Sequence, residues 1–193
     1  MATGRTPALR NRSCAQQSDS RVDPNRPLGR AERCCRCVLV NNLGTFINAG
    51  GQGKMQSHLE LGEAEARLAI DACAAELRRR KKVGSIAVGD RHGELIALLR
   101  MDGASLPSSG IAANKVFTSS RLRQPSGALG RAALAEGWDV HYHGDIRYLG
   151  WDGGAPVFYR DQCVGSVAVS GLTGVEDLEI AEIGVNAILA TLD

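Results

Sequence analysis

VGSIAVGDRHGELIALLR, residues 83–100, is read as two strands joined by a tight turn. Val83–Val88 is a short apolar run suited to a buried strand. Asp90-Arg91-His92-Gly93 has turn chemistry: an aspartate can bond the backbone just ahead of it, and glycine reaches φ > 0 without strain. From Glu94 to Met101 the residues alternate, with Leu95, Ala97 and Leu99 on one face and Ile96, Leu98 and Arg100 on the other. Two strands meeting in a hairpin imply an antiparallel sheet rather than a parallel one built by crossover helices.

The pattern continues outward. Upstream, Leu61, Ala64, Leu68, Ala72 and Ala75 recur at helical spacing, with Ser57/Glu60 or Gly62/Glu65 as alternative capping boxes. The run Arg78–Lys82 places five cations at the end of that helix, where they complement its dipole; a solvated end or an anion site would both read this way. Downstream, Ser108 or Ser109 caps a helix to about Ser120, with Ala112, Ala113, Val116 and Phe117 as its apolar face. Residues 126–136 form a second short helix closed by Gly137. Trp138–Trp151 reads as a loop with room for one or two short strands. Ala155–Arg160 and Cys163–Gly171 form a second hairpin across Asp161-Gln162. Thr173 and Glu176 box the start of a last helix running to about Leu192, whose buried stripe includes Ile180, Ile183, Ala187 and Ile188.

Composition divides the chain of 193 residues in two. Residues 1–54 hold nine bases and three acids, a balance of +6; residues 55–193 hold fourteen bases and eighteen acids, a balance of −4. The first segment lacks apolar periodicity and cannot offset its own ordering entropy. It is expected to be disordered or a mis-assigned extension, with Met55 as the true start: the GGQGK before Met55 can be encoded by a purine-rich tract resembling a bacterial ribosome-binding site. Its CCRC cluster lacks a second ligand pair at zinc spacing. The second segment is long enough to fold as one domain. Its acidic balance argues against nucleic acid, no span is long enough for a membrane, and no clear secretory signal precedes it, so a cytoplasmic protein is expected. Cys73 and Cys163 fall within a helix pattern and a strand pattern, and read as small buried hydrophobes rather than a disulfide.

Three segments carry a family resemblance. VGSIAVGDRHGELIALLRMDGA (83–104), IAANKVFTS (111–119) and GGAPVFYRDQCVGSVAVSGLTGVEDLEIAEIGV (153–185) occur in order and at matching spacing. Together they resemble the GlcG/HbpS-like heme-binding family, which also includes the C-terminal domain of PduO-type proteins. Val116 and Ser119 depart from the alanines usual at those positions. The resemblance covers Met55–Leu192 and implies an α+β fold: an antiparallel, about five-stranded sheet flanked by helices, in a profilin- or PAS-like layout. It further implies a homo-oligomer, from dimer to octamer, that binds a small-molecule ligand: heme as cofactor, or another planar or carboxylated molecule. The role would be that of a carrier, scavenger or sensor partner. An accessory factor or enzyme acting on a carboxylated catabolite, or a corrinoid-related role, is the alternative.

The candidate site residues follow. Lys115 and Thr118 share one helix face. Lys115 either snorkels past an apolar patch or pairs with a ligand carboxylate such as a heme propionate. Thr118 either bonds the preceding turn or, by its motif position, is a weak oxygen ligand to heme iron. Arg100 and Asp102 form either a turn or the rim of a pocket beside Lys115. Gly153 and Gly154 let backbone approach closely, at a pocket wall or a tight turn. His141 and His143 share a face if their segment is a strand, which would allow a metal or heme iron; ordinary polar packing is the other reading. Neither a phosphate-binding loop nor a nucleophile–base set is present.

Overall fold

A computed structural model describes residues 55–192; the expectations for residues 1–54 lie outside it. The described elements are α1 (Glu63–Arg79), β1 (Ser85–Asp90), β2 (Leu95–Arg100), α2 (Ser108–Leu122), α3 (Ser126–Glu136), a 3-10 turn (Val140–His143), β3 (Gly154–Tyr159), β4 (Gln162–Ser170) and α4 (Gly174–Leu189).

Both hairpins form, and they join through their inner strands into an antiparallel sheet of order β2-β1-β4-β3. The fold is α+β, with four strands among the described residues where about five were expected. Trp138–Trp151, the segment with room for a further strand, instead makes the 3-10 turn, closed by Gly144 at φ 80°. Its Asp139 side chain accepts from the His141 backbone N–H, so a local cap takes a donor that a strand would pair across the sheet.

The two sheet faces differ in residue size. On one, Ile86, Val88, Val157, Val167 and Val169 pack with Ala66, Ala69, Leu77, Ile180 and Ile188 of α1 and α4 in the main core. On the other, Ala87 and Ala168 meet Ala112 and Val116 of α2. Alternation along each strand assigns large side chains to one layer and small ones to the other, so α2 lies close against the sheet. A Cβ at Gly89 would collide with Val116.

Several expectations shift in detail. In α1 the face turned to the core is Ala66, Ala69, Cys73, Ala74 and Leu77, so Ala64, Leu68 and Ala75 of the expected stripe are exposed. Two helical rows of apolar residues run along α1, and packing against the sheet and α4 selects between them. A bulge lies between Val88 and Gly89: Val88 pairs with Ala97 while Gly89 pairs with Leu95. Ile96 is therefore the extra residue and packs with Ala97 and Leu99 against the main core, while Leu95 stays half exposed. The β3–β4 turn falls one residue early, with Arg160 and Asp161 both left-handed at φ 48° and 61°, the backbone that suits a twisted two-residue hairpin. The starts of α1 and α4 follow their capping boxes: Gly62 donates its N–H to Glu65, and Thr173 exchanges bonds with Glu176. Ser108, expected as a cap, is instead the first residue of α2: Pro107 precedes it and the Ser108 hydroxyl donates to the Ser105 carbonyl. Cys73 and Cys163 are free and buried.

Candidate functional site

On α2 the side chain of Lys115 is buried, only 2% exposed, yet it ends in a charge. Its Nζ donates to Asp177 Oδ2 at 2.8 Å and to the Val169 carbonyl at 2.9 Å. Lys115 leaves the α2 side of the sheet, while Asp177 belongs to the first turn of α4, which packs on the opposite side. The ion pair thus ties the two helical layers together at the end of β4.

Gly153 makes the passage possible. At φ 121° it holds a backbone shape that side chains resist, and a Cβ there would sit 2.5 Å from Lys115 Nζ and 2.7 Å from the Val169 oxygen. Gly154 is equally pressed, against the Lys115 carbonyl and Ser126 Oγ. Asp177 is held on its other side by the Leu172 N–H, 3.1 Å from Oδ1, and sits where the helix dipole favours an anion. Burial pulls the Lys115 ammonium below its usual range, opposed by its bond to Asp177. Burial likewise pushes the Asp177 carboxyl up, opposed by Lys115. Both shifts express the cost of taking charge out of water.

The pair floors an open hollow of about 530 Å³ whose lining includes Ser105, Ser108, Ile111, Trp151, Asp152 and Ser170. Its other carboxylate, Asp152, is clasped by Arg131 Nη1 at 2.8 and 2.9 Å. The hydroxyl wall is braced from behind by Ser85, whose Oγ lies 2.7 Å from Ser108 Oγ.

The remaining candidates lie elsewhere. Thr118 is buried; its Oγ1 donates to the Asn114 carbonyl and accepts from the Leu149 N–H, both at 2.9 Å, and it does not line the hollow. Arg100 and Asp102 line a separate cavity of about 270 Å³ with Arg78, Leu99 and Met101. His141 and His143 are exposed on the 3-10 turn, where residues two apart point in different directions. His141 Nδ1 lies 2.7 Å from Asp139, and His143 stacks 4.7 Å from Tyr148. No cluster of three metal-ligating side chains occurs among the described residues.

Asp177 lines the candidate site and pairs with Lys115, and it was not among the residues singled out in the sequence. It lies on the stripe of Ile180, Ala181, Gly184 and Ile188 that α4 buries. A carboxylate in phase with an apolar stripe is the signal that could have found it.

A family model described as "Haem degrading protein HbpS-like" matches residues 61–186, which contain every element from α1 to the greater part of α4. The chain belongs to the HbpS-like family. A curated relative, the "Uncharacterized 15.0 kDa protein in dhaT-dhaS intergenic region" of Citrobacter freundii, is 32% identical over 98 residues, covering 50% of this chain and 69% of the relative. Among solved structures, Klebsiella pneumoniae protein ORFY is 25% identical with a TM-score of 0.66, covering 74% of this chain and 99% of its own. A double mutant of Streptomyces reticuli HbpS is 26% identical with a TM-score of 0.64, covering 75% and 95%. PduOC, solved as a heme complex, is 20% identical with a TM-score of 0.61, a likeness of fold alone. Among the described residues, no helix of this HbpS-like chain is long and apolar enough to cross a membrane.

Proposed function

We propose that this HbpS-like protein binds heme, or a related flat and carboxylated small molecule, in the hollow floored by Lys115 and Asp177. The observation that carries the reading is the Lys115 ammonium, buried at the base of an open hollow with two of its three N–H groups committed. The third is left for a ligand carboxylate, as a charge-assisted hydrogen bond. Both carboxylates that line the hollow among the described residues are already neutralised, Asp177 by Lys115 and Asp152 by Arg131, so neither opposes an anion entering it. Trp151, 62% exposed at the mouth, supplies a flat apolar face.

Heme fits this lining at its edge. The serine hydroxyls and Lys115 suit its carboxylates, and Trp151 suits its macrocycle; among the described residues the hollow is lined by no histidine, cysteine, methionine or tyrosine, and the Lys115 nitrogen is held by Asp177 and the Val169 carbonyl, so iron would find oxygen donors. When bound, heme supplies redox-active iron. The chain's part is to hold the carboxylates and cover one face. In this reading Thr118 acts by anchoring Leu149 and so the approach to Gly150 and Trp151. A carrier, scavenger or sensor partner is the role, and a homo-oligomer is its natural state: β2 lies at the sheet edge with Leu95 and Leu98 exposed.

A catalytic reading, on a carboxylated catabolite, is favoured by one observation. Lys115 is shifted down and Asp177 up at the base of an open hollow, the setting of a pair that can exchange a proton with a ligand.

Titration of the purified protein with hemin separates the two. Binding predicts a saturable Soret shift that weakens at least fivefold in Trp151→Ala and in Lys115→Met. No saturable Soret shift, with small organic acids raising the melting temperature of the parent but not of Lys115→Met, would leave the catalytic reading standing.

A further inference from the structure

Two adjoining hollows on another part of the surface share Arg91 and Arg123. The larger, about 640 Å³, is lined by residues 55–58, Arg91, Arg123, Phe158, Asp161, Gln162 and Cys163; the smaller, about 300 Å³, adds His92, Ser120, Arg121 and Tyr148. Neither shares a residue with the Lys115 hollow. From this geometry we infer a second binding site, for a small molecule that carries a phosphate or carboxylate oxyanion, gripped by Arg91 and Arg123.

The two arginines come from distant parts of the chain, and the backbone works to bring them together. Arg91 is in the β1–β2 turn. Gly93 of the same turn, at φ 83°, is pressed against α2 so closely that a Cβ would stand 2.9 Å from the Phe117 backbone. Arg123 ends α2 in the left-handed conformation at φ 55°. The neighbouring helix α3 ends in the same shape with Gly137, the residue this conformation favours. An arginine in that place holds a strained backbone and keeps a guanidinium at the hollow. The cap is braced by Ser119, whose Oγ donates to the Gln124 carbonyl at 2.9 Å. Strain kept at a position that glycine would relieve points to a use for the side chain.

Charge agrees. Arg121 is engaged with Glu94, whereas Arg91 and Arg123 form no ion pair among the described residues. Asp161, at the tip of the β3–β4 turn, is the one carboxylate lining either hollow among the described residues. Both free guanidinia also act on the Cys163 thiol, opposing the rise that burial causes. Planar guanidinia suit oxyanions, each able to give two parallel N–H bonds. Phe158, 47% exposed beside them, offers the rest of the ligand an apolar wall.

The test is calorimetric titration of the full chain at constant ionic strength with two probes, inorganic pyrophosphate and succinate. Saturable binding of one of them is expected, and which one binds tells phosphate from carboxylate. Affinity falls at least tenfold in Arg91→Gln and in Arg123→Gly, and stays within twofold in Arg67→Gln, which removes an exposed charge from α1. Asp161→Asn strengthens binding severalfold. Arg123→Gly relieves the strained cap, so its melting temperature equals or exceeds that of the parent, and lost binding cannot come from lost folding. Failure of both probes to saturate, or equal weakening in Arg67→Gln, overturns the site. So does loss of hemin binding in Arg123→Gly, which would merge it with the Lys115 hollow.

Discussion

Lys115 Nζ and Asp177 Oδ2 lie 2.8 Å apart, each side chain almost fully withdrawn from water and separated by 62 positions in the chain. A pair so placed is coupled: each charge is tolerated only because the other is there.

Removing one partner should therefore cost far more than removing both. Lys115→Met and Asp177→Asn are each expected to lose about 3–5 kcal/mol, since each strands a buried group. The double variant should lose clearly less than the sum. Urea unfolding of the four proteins closes the cycle, and strict additivity would count against coupling.

Gly153→Ala is expected to damage the same pair from the side. The backbone conformation costs about 1–3 kcal/mol, and forcing a methyl against Lys115 Nζ and Asp177 adds about 1–3 kcal/mol. Gly137→Ala serves as the comparison: its φ is also positive, at 75°, but nothing among the described residues lies within 4 Å of the new methyl, so only about 1 kcal/mol is lost. Equal melting temperatures for the two variants would show that the close approach at Gly153 has no cost.

Thr118→Val should leave the Leu149 N–H without its acceptor, at about 1–3 kcal/mol. Thr118→Ser restores the hydroxyl and most of the stability. Amide exchange at Leu149 is the direct measurement: faster in the valine variant, near the parent rate in the serine variant.

At the end of α1, hydrogen bonds from Arg79 and then Arg80 hold Glu76 down from 4.5 to about 2. A carboxylate lowered on folding adds stability above its unfolded value, and that stability is lost as pH falls through about 2. Melting temperatures of the parent and Glu76→Gln should thus differ by a constant amount above about pH 5 and converge towards about pH 2. Because Arg79 is exposed, 1 M salt should shrink the gap. A gap that widens on acidification would contradict the assignment.

The elements were legible because each rests on neighbours in sequence. Thr173 and Glu176 lie one turn apart and meet whatever surrounds them; Gly137 closes α3 through its own backbone; the two hairpins need only a turn and an alternation. Lys115 could be singled out as a cation among aliphatic residues, and Gly153 as a point of close approach. The loop from Trp138 to Trp151 was not legible, because its short polar residues satisfy their backbone locally and leave no period to read.

From local order alone follow the helices, the antiparallel hairpins and the odd charge on α2, since propensity, capping and periodicity act over a few residues. Folding in three dimensions added the rest. Which carboxylate meets Lys115, which hydroxyls wall its hollow, and that Thr118 and Arg100 lie outside it depend on how layers stack over the sheet. Contacts of that kind join residues tens of positions apart, and an ion pair across a sheet leaves no periodic trace in either of the segments that make it.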